Sequence, residues 1–368
     1  MRSMAVTEPF NRGHVDRLPL AEVMAEHCGR FIAGTVLRVD AEARTVTLAT
    51  GEQVGYDVLV LALGATAVPA LPHALTFGAH PRVLNGVLAD LEQGWSRSVA
   101  FVVPRGCSWP LPLYELALMT ARDVWAMNMD RVDMHLVTHE LEPLGIFGAQ
   151  ASAVVADLLD AARITLHCDV SAQMRRSGRI ETGSGPDIVV DCVVALPVPE
   201  GPGLPGVPSA TLGFIPVDDA GRVDGLAGVY AVGDATDRPV KQGGLACQQA
   251  DVTAAHIAAG AGADVDVPPL AQVLRGRLLT GTRDRYLQRD PGRNAGSASH
   301  EPLWWTPTKV AGRYLSPYLI AKDVVHVQSR GGSSVPQGLD VDVPLTWQQK
   351  RASEILGLDP LGPMTAVR

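Results

Sequence analysis

The segment that most constrains this chain covers residues 228–244. A short apolar strand, Val229–Val232, runs into Gly233-Asp234, and a glycine-rich turn then leads into a helical stretch. Gly233 lets a ligand approach the backbone closely, and Asp234 offers a carboxylate that can accept a hydrogen bond from a hydroxyl. A helix beginning at about Gly244 adds free N–H groups and the positive end of a helix dipole. The segment predicts a ligand-binding turn, with a strand–turn–helix that binds nothing as the alternative.

A second segment, residues 54–65, predicts a buried strand that ends in a turn. It is almost continuously apolar from Val58 to Leu63, which is typical of a strand covered on both faces. Tyr56-Asp57 precedes this run, and Gly64 follows it where the chain must turn.

Taken together and in this order, the two segments resemble the FAD-dependent pyridine nucleotide-disulfide oxidoreductase superfamily. In that superfamily a Tyr-Asp-x-Leu strand closes the first part of the FAD domain, and the later Gly-Asp turn holds the ribityl-phosphate of FAD. The resemblance implies FAD as the cofactor and places Lys241 near the flavin ring, whereas a surface lysine is the alternative. The cofactor-binding residues implied by the resemblance are Gly64, Ala65, Gly233, Asp234, Lys241 and Gly244.

The middle of the chain alternates strand and helix patterns, which predicts a parallel sheet with helices on both faces. Strands are predicted at 99–103, 132–138, 164–167 and 188–196, and helices at 114–128 and 149–162. The fold class that follows is α/β, with two Rossmann-like three-layer domains, the second inserted in the first, and a small C-terminal α+β unit. The predicted divisions are an FAD-binding domain (1–95 and 201–265), an inserted degenerate dinucleotide-binding domain (96–200), an interface unit (266–330), and a linker with a terminal helix (331–368).

The superfamily begins with a strand, Gly-x-Gly-x-x-Gly and a helix that binds the FAD pyrophosphate. The 368 residues contain no such unit, because Gly201-Pro-Gly-Leu-Pro-Gly206 has the spacing but its prolines exclude the helix. We therefore expect Met1 to follow the position of that unit. Two alternatives remain: an enzyme whose true start lies upstream, or a truncated or non-catalytic relative without stable FAD.

The inserted domain distinguishes between branches of the superfamily. Residues 143–152 contain Gly145 and Gly148 but also the bulky Phe147, where an NADH-using relative needs close backbone approach. A type II NADH dehydrogenase is therefore the weaker alternative. Residues 101–119, with a strand ending in proline, then Cys107, then Tyr114-Glu115 on a helix, are similar to the sulfide:quinone oxidoreductase and flavocytochrome-c sulfide dehydrogenase branch.

This resemblance implies an oxidoreductase that passes electrons from a small donor, sulfide or thiol-like, through the flavin to a quinone or similar acceptor. It makes Cys107 the candidate redox thiol, and the nearby Arg105 and helix N-terminus are conditions that favour a thiolate. An ordinary loop cysteine is the alternative. Cys247, at the start of the helix near Gly244, is the second candidate, with helix packing as its alternative.

Composition and charge exclude other classes. A hydrophobic content of 46% with 37 glycines and 27 prolines suits an α/β enzyme, and a net charge of −8 without a basic block gives no support for nucleic-acid binding. The five cysteines have no zinc-site spacing, so no metal is predicted, and they fit a reducing compartment. We expect a cytoplasmic protein, or one peripheral to the inner face of the membrane. The aromatic and cationic residues of 303–320 suit a membrane surface, a homodimer interface, or packing against the FAD domain.

Overall fold

The computed structural model describes residues 6–10, 18–78, 83–129, 131–183, 185–305 and 307–330. The predicted linker and terminal helix at 331–368 lie outside the described residues. The helices are α1 (Leu20–Glu26), α2 (Val83–Glu92), α3 (Leu111–Ala126), α4 (Ala149–Ala161), α5 (Gly243–Gly260) and α6 (Leu315–Arg330). The strands are β1 (Val36–Asp40), β2 (Thr45–Leu48), β3 (Gln53–Gly55), β4 (Leu59–Leu61), β5 (Thr66–Val68), β6 (Leu75–Thr76), β7 (Ser98–Val103), β8 (Asp133–Thr138), β9 (Ile164–His167), β10 (Gln173–Arg176), β11 (Arg179–Glu181), β12 (Ile188–Val189), β13 (Cys192–Ala195), β14 (Val198–Glu200), β15 (Val229–Ala231), β16 (Leu274–Leu278), β17 (Arg285–Arg289) and β18 (Ser297–Ser299).

The largest sheet is parallel and has the strand order β6-β13-β7-β8-β9. Its central strand β7 is buried from Val99 to Val103, as expected for a parallel strand covered on both faces. Helix α3 packs on this sheet through a continuous set of buried residues that includes Tyr114 and Leu116. The predicted alternation of strands and helices is confirmed, and with it the α/β fold class. The sheet also takes β6 from a segment that precedes the predicted domain boundary at residue 96.

A second, smaller parallel pair joins β4 to β15 and packs on the antiparallel sheet β1-β2-β3. The prediction of a strand buried on both faces at 58–63 is wrong in one respect. Val58, Val60 and Leu63 are 44%, 44% and 45% exposed, and only Leu61 is fully buried. The physical reason is that the described elements leave the face of β4 that carries Val60 uncovered. One edge of β4 is open as well, because β15 is its one partner in the described part of the chain.

The predicted long strand at 188–196 is also wrong, because the run divides between two sheets. Strand β12 pairs with β11, whereas β13 enters the large parallel sheet. Asp191 lies at the break, where its Oδ2 accepts hydrogen bonds from the backbone N–H groups of Arg97 at 2.7 Å and Ser98 at 3.0 Å. The bond from Arg97, followed by those from Ser98, lowers the pKa of the Asp191 carboxyl.

The third unit consists of the antiparallel sheet β16-β17-β18 followed by α6. It is tied to α3 through Glu115, whose side chain is completely buried. Glu115 Oε2 lies 2.6 Å from Lys309 Nζ, and Oε1 accepts a hydrogen bond of 3.0 Å from the backbone N–H of Leu279. Burial raises the pKa of Glu115, and the Lys309 ammonium opposes this shift.

Replacing Glu115→Leu should destabilise the protein by about 3 kcal/mol, because it leaves the Lys309 ammonium without its buried partner. The measurement is urea unfolding followed by circular dichroism. The double variant Glu115→Leu with Lys309→Met should recover most of the loss. The control is Glu301→Leu, which removes an exposed ion pair with Arg283 and should cost under about 1 kcal/mol. Equal losses for Glu115→Leu and Glu301→Leu would contradict the assigned role of the buried pair.

Candidate functional site

The carboxyl ends of β4 and β15 lie side by side and bring together two segments that are far apart in the sequence. Leu61 is in register with Ala231, and the backbone N–H of Val232 donates to the Leu61 carbonyl at 3.1 Å. Three residues after Leu61 comes Gly64, and three residues after Ala231 comes Asp234. Because parallel strands end at the same edge of their sheet, Gly64 and Asp234 both lie at this edge.

The backbone at Gly233 requires glycine for two reasons. Its φ is +73°, in the left-handed region, and a Cβ at this position would lie 3.3 Å from the Ala246 Cβ of α5. The Gly233 N–H donates to Gln249 Oε1 at 2.7 Å, and the Thr236 hydroxyl donates to the Gly233 carbonyl at 2.8 Å. The turn is therefore held against α5 at a fixed distance.

The carboxylate of Asp234 is available to a ligand. It is half-buried, and no described residue donates a hydrogen bond to it. Burial raises the pKa of Asp234, and the Lys241 ammonium opposes this shift. A half-buried carboxylate without a protein donor is suited to accept a hydrogen bond from a hydroxyl group.

Lys241 is bound to the turn itself. Its ammonium donates to the carbonyls of Thr236 and, at 2.6 Å, Arg238, and it lies 3.8 Å above the centre of the Phe214 ring. Burial lowers the pKa of Lys241 to about 8, and the carboxylates of Asp234 and Asp237 oppose this shift. Two of its three N–H groups are used by backbone carbonyls. A place for Lys241 beside a flavin ring therefore stays a prediction.

Helix α5 begins at Gly243, close to the predicted Gly244, and its first turn faces this edge through the contacts of Gly233. The helix is capped by Gln242, whose Oε1 accepts a hydrogen bond from the Leu245 N–H at 2.8 Å. The N–H groups of Gly243 and Gly244 have no acceptor within the helix. Gly243 is partly exposed, so an anion could approach its N–H, whereas Gly244 is buried beneath the side chain of Gln242.

Cys107 lies in a different environment from the one predicted. It packs against the main core, and burial raises its pKa to about 12, with a further contribution from the charge of Glu140. Arg105 does not offset this, because its Nε donates to Ser171 Oγ at 3.2 Å, and α3 begins only at Leu111. The expectation that these surroundings favour a thiolate is wrong, since removal from water outweighs the helix end and the nearby cation.

Cys247 is a partly buried residue of α5, and burial raises its pKa to about 11, with Asp251 adding to the shift. The third unit approaches it closely, since a Cβ placed at Gly312 would lie 2.7 Å from the Cys247 Cβ. This contact supports the packing alternative. Both Cys107 and Cys247 are free thiols, so no disulfide joins them.

The structure shows that a dinucleotide fingerprint in the inserted domain would lie in a different turn from the one considered in the sequence. The first crossover between neighbouring strands of the large parallel sheet runs from β7 through α3 to β8, so the relevant turn is 104–110 and not 143–152. Turn 104–110 contains one glycine, Gly106, together with two prolines and Trp109. The ring of Trp109 packs edge-on against Phe147 at 5.8 Å. Turn 104–110, and not residues 143–152, is therefore the segment that argues against NADH binding.

Two residues of functional interest are not predicted by the sequence pattern. Gln249 has no signal in the sequence, because its partner is a backbone N–H that only the fold places beside it. Glu140 does have a signal in the sequence, because it follows the predicted strand 132–138 and so lies at the carboxyl edge of a parallel sheet.

Internal packing accounts for much of segment 303–320. Trp304 is buried, lies edge-on to the Tyr286 ring at 5.3 Å, and donates its indole N–H to the Thr308 carbonyl at 3.1 Å. The Tyr318 hydroxyl donates to Glu26 of α1 at 2.8 Å. Membrane docking and dimerisation through this segment stay predictions.

Among the described helices, none has the length and apolar character needed to cross a membrane. The described residues also contain no cluster of three potential metal ligands.

Comparison with known proteins supports the fold. No family model matches the chain. NADH dehydrogenase-like proteins from two Mycobacterium tuberculosis strains, CDC 1551 / Oshkosh and ATCC 25618 / H37Rv, are 37% identical to it over 73 residues. This match covers 20% of the chain and 18% of each relative, so the chain spans less than a fifth of their length.

Among solved structures, the sulfide:quinone oxidoreductase of Aquifex aeolicus superposes with a TM-score of 0.68 and 21% identity. The match covers 77% of this chain and 73% of that one. A ferredoxin reductase of Rhodopseudomonas palustris gives a TM-score of 0.50 and 17% identity, over 76% and 75% of the two chains. These likenesses confirm the predicted α/β fold with a parallel sheet, which the chain shares with the sulfide:quinone oxidoreductase.

The substitution Gly233→Ala should destabilise the protein by about 2 kcal/mol, as measured by urea unfolding. About half of this loss is the cost of a left-handed conformation for alanine, and the rest is the contact with α5. Gly225→Ala is the matched control, because Gly225 has a φ of +76° and open space around the added Cβ. Equal losses in the two variants would show that contact with α5 does not constrain Gly233.

Proposed function

We propose that this chain, which has the fold of sulfide:quinone oxidoreductase, is an FAD-dependent oxidoreductase. It would take electrons from a small sulfide- or thiol-like donor and pass them to a quinone or a similar acceptor. The observation that carries the proposal is the meeting of Gly64, the Gly233-Asp234 turn and the first turn of α5 at one sheet edge.

The residues at this edge fit part of FAD. The half-buried Asp234 carboxylate can accept a hydrogen bond from a ribityl hydroxyl, and the N–H of the partly exposed Gly243, which has no acceptor within the helix, can bind a phosphate. The bound flavin would supply the centre that accepts and releases electrons. Gly64 and Gly233 keep the backbone accessible, and Ala65, which is exposed beside Gly64, adds no bulk.

On the donor side, Cys107 is the candidate that the family resemblance implies. Its raised pKa means that the resting side chain is a thiol, so its reaction with a donor requires a group that accepts its proton. Cys247 remains the second candidate. Its packing against Gly312 gives less support for a role in the reaction.

A non-catalytic relative without stable FAD is the second candidate function. The observation that favours it is the open edge of β4, beside which Val58 and Val60 are exposed. A third candidate, an NAD(P)H oxidoreductase like type II NADH dehydrogenases, has support from the short match to the mycobacterial proteins. Turn 104–110 counts against it, because it has the single glycine Gly106 and the bulky Trp109 in place of the Gly-x-Gly-x-x-Gly spacing that binds a pyrophosphate.

The deciding experiment is an absorbance spectrum of the purified chain, taken before and after incubation with excess FAD and desalting. Retained bands near ~370 and ~450 nm are expected for bound flavin. Stopped-flow reduction with sulfide and with NADH then distinguishes the first candidate from the third. A colourless protein that folds but cannot be reconstituted would contradict the first proposal and favour the second.

The variant Asp234→Ala should weaken FAD binding by about 10- to 100-fold, because it removes a charged acceptor worth about 1.5–3 kcal/mol. Fluorescence titration of free flavin measures the dissociation constant. Asp237→Ala is the control, since Asp237 is an exposed carboxylate three residues away that likewise faces Lys241. Equal affinity in both variants would rule out Asp234 as a flavin ligand.

A further inference from the structure

Three neighbouring strands of the large parallel sheet end at one edge, and each is followed by a titratable side chain. Val103 of β7 is in register with Thr138 of β8, and Val137 of β8 with His167 of β9. Cys107 follows β7, Glu140 follows β8, and Cys168 follows β9 directly. The sheet therefore gathers two thiols and a carboxyl group at its carboxyl edge, where α/β proteins bind ligands.

Glu140 is the centre of this cluster. Its Oε2 accepts hydrogen bonds from the Tyr114 hydroxyl at 2.7 Å and the Thr138 hydroxyl at 2.9 Å, and both donors are completely buried. The other oxygen, Oε1, is also buried, and no described group lies within hydrogen-bond geometry of it. A buried carboxylate oxygen without a donor is costly, so such an atom calls for an explanation.

The electrostatics join the carboxyl group to the thiols. Burial raises the pKa of Glu140, opposed by its hydrogen bonds from Tyr114 and Thr138 and by the backbone of Leu144. Burial raises the pKa of Cys107 and of Cys168, and in both cases the charge of Glu140 adds to the shift. The negative charge of Glu140 therefore contributes to the raised pKa of both thiols.

We propose that Glu140 is the proton acceptor for the Cys107 thiol, with Oε1 as the accepting atom and Tyr114 and Thr138 holding Oε2 in place. In this step the Sγ–H bond of Cys107 breaks, an O–H bond forms on Glu140, and the electron pair stays on sulfur as a thiolate. No oxidant is needed, because only a proton moves. The inference rests on the proposed function in one respect, namely that Cys107 is the thiol that reacts.

The geometry explains why a buried thiol could react at all. Cys107 is partly buried and packs against the main core, so a free thiolate there is unfavourable, and a base at the same sheet edge can remove the proton as the sulfur attacks. Tyr114 of α3 and Thr138 of its own strand donate hydrogen bonds to Glu140, and the backbone of Leu144 also lowers its pKa. The thiols coupled to its charge are Cys107, in the turn before α3, and Cys168, after β9. Glu142, two residues further along, is exposed and provides a matched control.

The test is the rate of iodoacetamide alkylation of Cys107 in the full chain, resolved from the other cysteines by peptide mass spectrometry over a range of pH. It needs no flavin, so its outcome is independent of whether FAD binds. Glu140→Gln should slow alkylation of Cys107 by about 10-fold or more near neutral pH and remove the low-pH limb of the rate profile. Glu142→Gln should leave the rate unchanged, as should the exposed Cys28 in every variant.

An unchanged or faster alkylation of Cys107 in Glu140→Gln would overturn the proposal. A faster rate is the result expected if the Glu140 charge only repels the thiolate, because removing that charge would then make the thiolate easier to form. If Glu140→Gln does not fold, Tyr114→Phe provides the answer. Loss of the hydroxyl removes a donor to Glu140, which should raise its pKa and move the low-pH limb of the profile to higher pH. A profile that does not move in a folded Tyr114→Phe variant would equally overturn the assignment.

Discussion

The candidate site depends on the backbone pairing of β4 with β15, two short strands separated by the whole inserted domain. Their parallel register sets Leu59 against Val229 and Leu61 against Ala231, and it directs these side chains into one small core. A slip by one residue would turn the apolar side chains away from that core, so the register is strongly specified. The same register fixes where each strand ends, and therefore brings Gly64 and Asp234 to one edge without any direct contact between them.

Two carboxyl groups in the inserted domain are removed from water but differ in how many of their oxygens have a partner. Glu115 has a partner for each oxygen, the Lys309 ammonium and the Leu279 N–H, and it joins α3 to the third unit. Glu140 has two donors on one oxygen and none among the described residues on the other. A fully satisfied buried ion pair is explained by packing between units. A half-satisfied carboxyl group at the same sheet edge as two thiols is consistent with the proposed role as a proton acceptor.

The sequence allowed the fold class to be predicted because its strands and helices differ clearly in period, and β7, β8, β9 and α4 begin and end within a residue or two of expectation. It failed where burial depends on partners in space. Val58 and Val60 look like core residues but lie on an open face, and the apolar run at 188–196 divides at Asp191. The thiolate expected at Cys107 is disfavoured for the same reason, since neighbours in sequence, Arg105 among them, do not show that the thiol packs against the core.

The open side of β4 links stability to ligand binding at the site. A pair of parallel strands is a weak structure, and one face of β4 exposes apolar side chains to water. A ligand held between the Gly64 turn and Asp234 would bind only when the pair is formed, and would stabilise the folded state in proportion to its affinity. Affinity for the proposed ligand and local order at β4 and β15 are thus linked through one folding equilibrium. Substitutions that loosen the Gly233 turn must weaken binding even where they touch no ligand.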